Sequence, residues 1–231
     1  MTFVKICGLT RVEDARAVAA AGADAIGFVF WPGSPRHVTP RAARALAATI
    51  PSSVRRIGVF VDQPASEIEQ AVRTVGLDII QLHGAEPAAV ARHLPRPVWR
   101  AVHGGVDPAT LNGYPAAAFL VDGAPAGTYG GAGIAPGGDR IEAVGKLGSL
   151  VLAGGLNPTS VGSAIARYRP HAVDVSSGVE TAPGIKDAAL VRSFVAAVRQ
   201  AGFRVGGQMN RSATVPSSTA SKNPLIDHFN M

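Results

Sequence analysis

The chain has a single cysteine among its 231 residues, and only 6% of its side chains are aromatic. One thiol excludes an internal disulfide and any metal site built from several cysteines, and it makes no demand for an oxidising compartment. Long apolar runs are also missing. No stretch of about 18 apolar residues escapes a charge, a proline or a glycine, so no membrane span is expected. The start, MTFVKICGLT, has Lys5 inside its first apolar run and no small-residue cleavage signature, unlike a secretory leader. No run of five basic residues occurs, and no aromatics interleave with the arginines. The net charge of +6 therefore does not describe a nucleic-acid surface. It implies a modest pull on small anions. What remains is a soluble, cytoplasmic protein with no nucleic-acid or membrane partner.

Short aliphatic runs alternate with longer stretches of helical pattern. Strands are expected near Phe3–Ile6, Ala25–Phe30, Arg56–Val61, Asp78–Leu82, Val98–Val102, Ala118–Val121, Leu150–Ala153 and Ala172–Val175. Helices are expected near Val12–Ala21, Pro40–Thr49, Ala65–Val75, Pro87–Leu94, Pro108–Asn112, Arg140–Lys146, Pro158–Tyr168 and Ala188–Ala201. Thr39-Pro40, Asp107-Pro108 and Asn157-Pro158 each set a capping residue before a proline at the first helical position. Eight βα units joined by right-handed crossovers imply an α/β protein: a single (β/α)8 TIM barrel of eight parallel strands, near the ~250 residues usual for that fold. A faint echo links Gly22-Ala23-Asp24 before strand two to Gly76-Leu77-Asp78 before strand four. The barrel is expected over 1–202. Residues 203–231, rich in Ser, Thr, Pro and Asn with no amphipathic period, read as a disordered tail.

In such a barrel, chemistry sits at the carboxyl ends of the strands. Strand one ends KICGLT. Side chains alternate along a strand, so Lys5 and Cys7 share a face, and a nearby cation lowers a thiol's pKa. A lone cysteine is more often an inert core residue. Strand six ends with Asp122 at the matching level, followed by the glycine-rich TYGGAG from Thr128 to Gly133. A lone Asp–Gly is also a simple turn. Strands seven and eight end LAGGLNP and VDVSSGVE, where Gly154, Gly155, Ser176, Ser177 and Gly178 can turn N–H groups and hydroxyls toward one phosphate. Arg36, in SPRHV, can grip a carboxylate in bidentate fashion. His83, in QLHG, faces the same mouth as a ligand contact or a structural histidine.

Taken in order, KICGLT, FVFWPGSPRHV, IGVFV, QLHG, VDG with TYGGAG, LAGGLNP, and AVDVSSGVE followed by PGIKD resemble the phosphoribosylanthranilate isomerase family of tryptophan biosynthesis. The likeness covers about residues 3 to 200. It implies an Amadori rearrangement of an N-linked ribosyl phosphate to a 1-deoxyribulose phosphate, catalysed by a cytoplasmic monomer or homodimer. The matching Asp122 would be the general acid at the ring oxygen, and Cys7 the general base at C2. Arg36 would hold the anthranilate carboxylate. No cofactor and no metal is implied, since a protonated imine serves as electron sink. The chain departs from the pattern after TYGGAG, where IAPGGDRIEAV replaces a Phe–Asp–Trp-like stretch.

Two other readings compete. A barrel like the histidine-pathway isomerase would use a pair of aspartates, but strand one ends here in Cys7. A non-catalytic phosphate-binding barrel would bind product analogues without turnover. One expectation comes from alternation alone. Lys5 and Asp174 lie two residues before Cys7 and Ser176 on strands that neighbour each other in a closed barrel. They should point inward and form an ion pair below the site, because buried charges need partners.

Overall fold

A computed structural model describes residues 1–209 except 126, 128 and 130–132. The segment from Thr128 to Gly133 thus lies partly outside the described residues, and 210–231 of the tail wholly so. Eight parallel strands close in sequence order: β1 Phe3–Cys7, β2 Ala25–Val29, β3 Arg55–Phe60, β4 Ile79–Leu82, β5 Val98–Val102, β6 Ala118–Val121, β7 Leu150–Leu152 and β8 Ala172–Val175, with β8 returning to β1. Around them run α1 Val12–Ala20, α2 Pro40–Ala47, α3 Ala65–Val75, α4 Ala88–His93, α5 Gly138–Gly145, α6 Val161–Tyr168 and α7 Ala188–Met209. After β8 come a 3₁₀ turn, Ser177–Val179, and a two-stranded hairpin, β9 Glu180–Ala182 with β10 Ile185–Lys186. Among the described residues no helix is long and apolar enough to cross a membrane.

Local chemistry sets most boundaries. In α3, Ile68, Ala71, Val72 and Val75 fall on one stripe and are buried, and the helix stops at Gly76, whose φ of 72° suits glycine. Thr39 caps α2 by accepting the Ala42 N–H at 3.2 Å. Three expectations change. The segment after Asp107 is a 3₁₀ turn, Pro108–Leu111, because Asn112 is already extended and no second turn forms. Asn157 does accept N–H bonds from Thr159 and Ser160, yet they close a turn and α6 begins only at Val161. Finally, α7 continues to Met209, past the break that composition places at Gly202.

The Gly–x–Asp echo proves to be structural. Gly22 and Gly76 both take positive φ, and the aspartate that follows each ties its strand to the preceding one. Asp24 accepts from Val4 N–H at 2.7 Å, and Asp78 accepts from Arg56 N–H at 2.8 Å. Arg199 of α7 reaches Asp24 at 2.8 Å and so joins the last helix to the same end of the barrel.

Strand alternation divides the interior into two cores. Val4, Ile26, Phe28, Ile80, Leu82, Val121, Val173 and Val175 face outward and pack with the helices. Ala25, Ile57, Ile79, Trp99, Ala118, Leu120, Val151 and Ala172 fill the lumen. The large Trp99 lies there in direct register with the small Ala118 of β6. Above this apolar plug the lumen turns polar. Lys5 is fully buried and pairs with Asp174 at 2.7 Å, in direct register across the β1–β8 seam. That is the pair expected from alternation.

Removing one partner of such a pair strands the other charge, which typically costs about 3–5 kcal/mol. Urea unfolding of Lys5→Met should show a loss of this size, and Lys5→Met/Asp174→Asn should lose clearly less than the two single losses added together. Strict additivity would show that the ion pair does not couple the two strands.

Candidate active site

All nine residues singled out above converge. Cys7, Arg36, His83, Asp122, Gly154, Gly155, Ser176, Ser177 and Gly178 line one pocket at the carboxyl ends of the strands, with about 710 Å³ of atom-free space up to its open mouth. Cys7, His83, Asp122 and Ser176 stand there because each continues the inward-facing register of its strand. Gly27 makes room for the thiol, since a β-carbon there would come within 2.7 Å of Cys7 Sγ.

The Cys7 environment corrects one expectation. Burial pushes the thiol pKa up, and this outweighs the opposing pull of Lys5, whose charge Asp174 in turn offsets. The cation beside the thiol is real, but it arrives already neutralised. Lys5 itself is opposed by burial, yet Asp174 and Cys7 more than restore its charge.

Asp122 lies across the pocket. Burial raises its carboxyl to about 6, against the lowering effect of the Ala124 N–H bond at 3.1 Å. Its Oδ2 lies 4.0 Å from His83 Nε2. Burial, helped by His103, Lys5 and Arg100, drives His83 down to about 3, so its ring is neutral at ordinary pH. The His103 ring stacks on His83 with centroids 6.1 Å apart and planes 6° from parallel, and Tyr129 meets His103 edge-on.

Arg36 is not free. Its Nε and Nη2 donate to the two carboxylate oxygens of Glu180, at 2.9 and 2.6 Å, and Lys186 Nζ donates to the same carboxylate at 2.6 Å. Glu180 stays ionised between these two cations, which together outweigh its burial. Ser176 lines the pocket, but its hydroxyl donates to the Cys7 carbonyl at 3.1 Å and accepts from Lys186. Sequence reading missed Glu180, Lys186 and Gln81. The first two lie in SSGVE and PGIKD, where motif matching saw letters and not partners. Gln81 lies two residues before His83, and the alternation that paired Lys5 with Asp174 could have found it.

The glycines after β7 and β8 are forced by close backbone approach. Gly154 and Gly155 have φ of 82° and 63°, and a β-carbon on either would strike the 133–135 backbone within 2.4–2.7 Å. A β-carbon on Gly178 would come 1.9 Å from the Leu156 carbonyl. Only glycine lets these loops close over one another with their backbone turned to the pocket.

Comparison with known proteins gives concordant results. The family model described as N-(5'phosphoribosyl)anthranilate (PRA) isomerase matches residues 4–197. The N-(5'-phosphoribosyl)anthranilate isomerase of Syntrophus aciditrophicus is 44% identical over 203 residues, covering 87% of this chain and 88% of that one. The phosphoribosyl anthranilate isomerase of Thermus thermophilus superimposes with a TM-score of 0.78 at 39% identity, over 86% of this chain and 99% of that one. A solved isomerase of the same name, in complex with reduced 1-(o-carboxyphenylamino)-1-deoxyribulose 5-phosphate, has a TM-score of 0.75 at 37% identity, over 87% and 100% of the two chains.

The raised Asp122 carboxyl makes a stability prediction. An unfolded aspartate ionises near 3.8 and the buried one near about 6, so the fold is penalised as pH climbs through that window and fully so above it. Asp122→Asn should therefore stabilise the protein at pH 7.5, on the order of 2 kcal/mol, with the gain fading toward pH 4. A melting-temperature gain that is the same at both pH values would refute the assigned cause.

Proposed function

Starting from the premise that the chain belongs to the phosphoribosylanthranilate isomerase family, we propose how its residues share the work of the Amadori rearrangement. The enzyme converts N-(5-phosphoribosyl)anthranilate to 1-(2-carboxyphenylamino)-1-deoxyribulose 5-phosphate in tryptophan biosynthesis. Asp122 is the general acid. Its carboxyl, held near about 6, keeps a usable protonated fraction near neutrality. It protonates the furanose ring oxygen, and the C1–O bond opens to a protonated imine on the anthranilate nitrogen. Cys7 is the general base. Its thiolate takes the C2 proton, giving an enolamine that tautomerises to the ketone.

The raised thiol suits this order of events. In the empty site, burial holds Cys7 protonated. The working form is the minor one in which Cys7 has given up its proton while Asp122 keeps one. Ring opening then creates a cation one bond from C2 that favours the thiolate until it takes the C2 proton. Glu180 takes the Nε–Nη2 edge of Arg36 and leaves the Nη1 donors to the substrate carboxylate. The Gly154-Gly155 turn and Ser177-Gly178 offer backbone N–H groups to the phosphate. Held at both anionic ends, the sugar carbons lie between acid and base. One chain supplies every group named, so a monomer or a homodimer carries a whole site, and a reducing cytoplasm suits its free thiol. The observation that carries this reading is the convergence of Cys7 and Asp122 on one pocket with Arg36 and the two glycine turns.

The test follows substrate fluorescence during turnover. Cys7→Ser and Asp122→Asn should each lose about 10²- to 10⁴-fold in kcat, and an inactive wild type, or full rate in both variants, would sink the reading. The pH profile of kcat/KM should also be flat-topped. It should rise to a plateau with a midpoint of about 6, where Asp122 titrates, and fall above the ordinary thiol value of 9.0, where Cys7 does. Across the plateau the working form, with Asp122 protonated and Cys7 ionised, is a constant minor fraction of the singly protonated pair. A profile still rising above pH 8 would contradict this assignment.

A further inference from the structure

Lys5, Gln81 and His83 form a bonded line beneath the pocket. Lys5 Nζ donates to Gln81 Oε1 at 2.8 Å, and Gln81 Nε2 lies 2.9 Å from His83 Nδ1. An ammonium has donors only, so the amide atom facing Lys5 is the oxygen, and the amide nitrogen must face the ring. That nitrogen is also a donor, so Nδ1 accepts and the ring proton resides on Nε2. Asp174 holds Lys5 charged and fixes the start of the line. Among the described residues His83 Nε2 is buried without a hydrogen-bond partner, and it lies 4.0 Å from Asp122 Oδ2. The stacked His103 ring holds the imidazole plane.

We propose that Gln81 is a positioning residue for the isomerisation: it locks His83 as the Nε2–H tautomer, so that a neutral imidazole presents a donor, not a lone pair, to the Asp122 carboxylate. This rests on Asp122 being the acid. When Asp122 gives its proton to the ring oxygen it becomes a carboxylate in a dry pocket, and an N–H aimed at Oδ2 stabilises that anion. The opposite tautomer would set a lone pair against the new charge and hold the proton back. The groups facing His83 are consistent with a ring that stays neutral: Lys5 from β1, Arg100 and His103 from β5 and its end, and Asp122 beyond β6. Gln81 lines the floor of the pocket but is 1% exposed, and its amide is engaged by Lys5 on one side and His83 on the other, so its effect travels through His83.

Gln81→Glu is nearly isosteric and reverses the line. One carboxylate oxygen still accepts from Lys5, while the other needs a donor from Nδ1, which turns His83 into the Nδ1–H tautomer. Gln81→Met removes the donor without adding charge. Long-range proton–nitrogen correlation spectra of ¹⁵N-labelled protein, with His83 assigned from His83→Gln, read the tautomer directly. Wild type should show Nε2–H from pH 5.5 to 8, and Gln81→Glu should show Nδ1–H. Turnover should fall about ten- to hundredfold in kcat for Gln81→Glu and less for Gln81→Met, with KM changed only a few-fold. The wild-type spectrum decides the tautomer even where a variant fails to fold, and an Nδ1–H ring there overturns the proposal. So does Gln81→Glu with a reversed tautomer and an unchanged kcat. Wild type with the Nε2–H ring and no turnover would instead overturn the assignment of Asp122, and the positioning role with it.

Discussion

An ammonium group with no exposure to water has to be met by an anion, and in this barrel that requirement organises the whole polar layer. Lys5 meets Asp174 across the seam between β1 and β8, and its remaining donors are directed to Gln81 and toward the Cys7 thiol. Through Gln81 the line runs on to His83 and faces Asp122. The proposed base and the proposed acid thus stand at two ends of one polar layer, resting on the apolar plug around Trp99. Neither carboxyl nor thiol would hold its present environment if Lys5 were solvated.

Compensation recurs at the rim. Arg36 and Lys186 converge on Glu180, much as Lys5 converges on Asp174, so each of these cations is met by a carboxylate, the first two sharing theirs. Uncompensated cations around Cys7 would ionise the thiol permanently. Compensated ones leave it protonated at rest, with burial deciding the balance. A resting thiol of that kind is a poor target for oxidants and alkylating agents, since the thiolate is the reactive form.

Strand positions, the closed barrel and the Lys5–Asp174 pair follow from periods of two residues and from adjacency in a ring, both visible in a single sequence. The pocket residues were legible for the same reason: each falls at the end of a recognisable strand. The ionisation of Cys7 was not, because the sign of its shift depends on how far burial outweighs a cation that another strand has neutralised. The Glu180 clamp on Arg36 links residues 144 apart in sequence, through a hairpin whose turn has no periodic signature. Helix edges at Val161 and Met209 were missed because a turn and a helix start share their capping chemistry, and because Gly202, Gly206 and Gly207 read as breakers that an existing helix carries on through.

The Lys5–Asp174 seam joins residues 169 apart, whereas the aspartate ties at the other end of the barrel join residues 20 and 22 apart. Early strand pairs can therefore form as the chain emerges, but the seam must wait for the eighth strand. Until then Lys5 has no counterion, the amide of Gln81 has nothing to orient it, and the thiol has no settled neighbour. A partial barrel can be compact without being competent. Completion of the ring and assembly of the chemistry are one event, so an unfinished chain carries no half-active site that could do damage before it is whole.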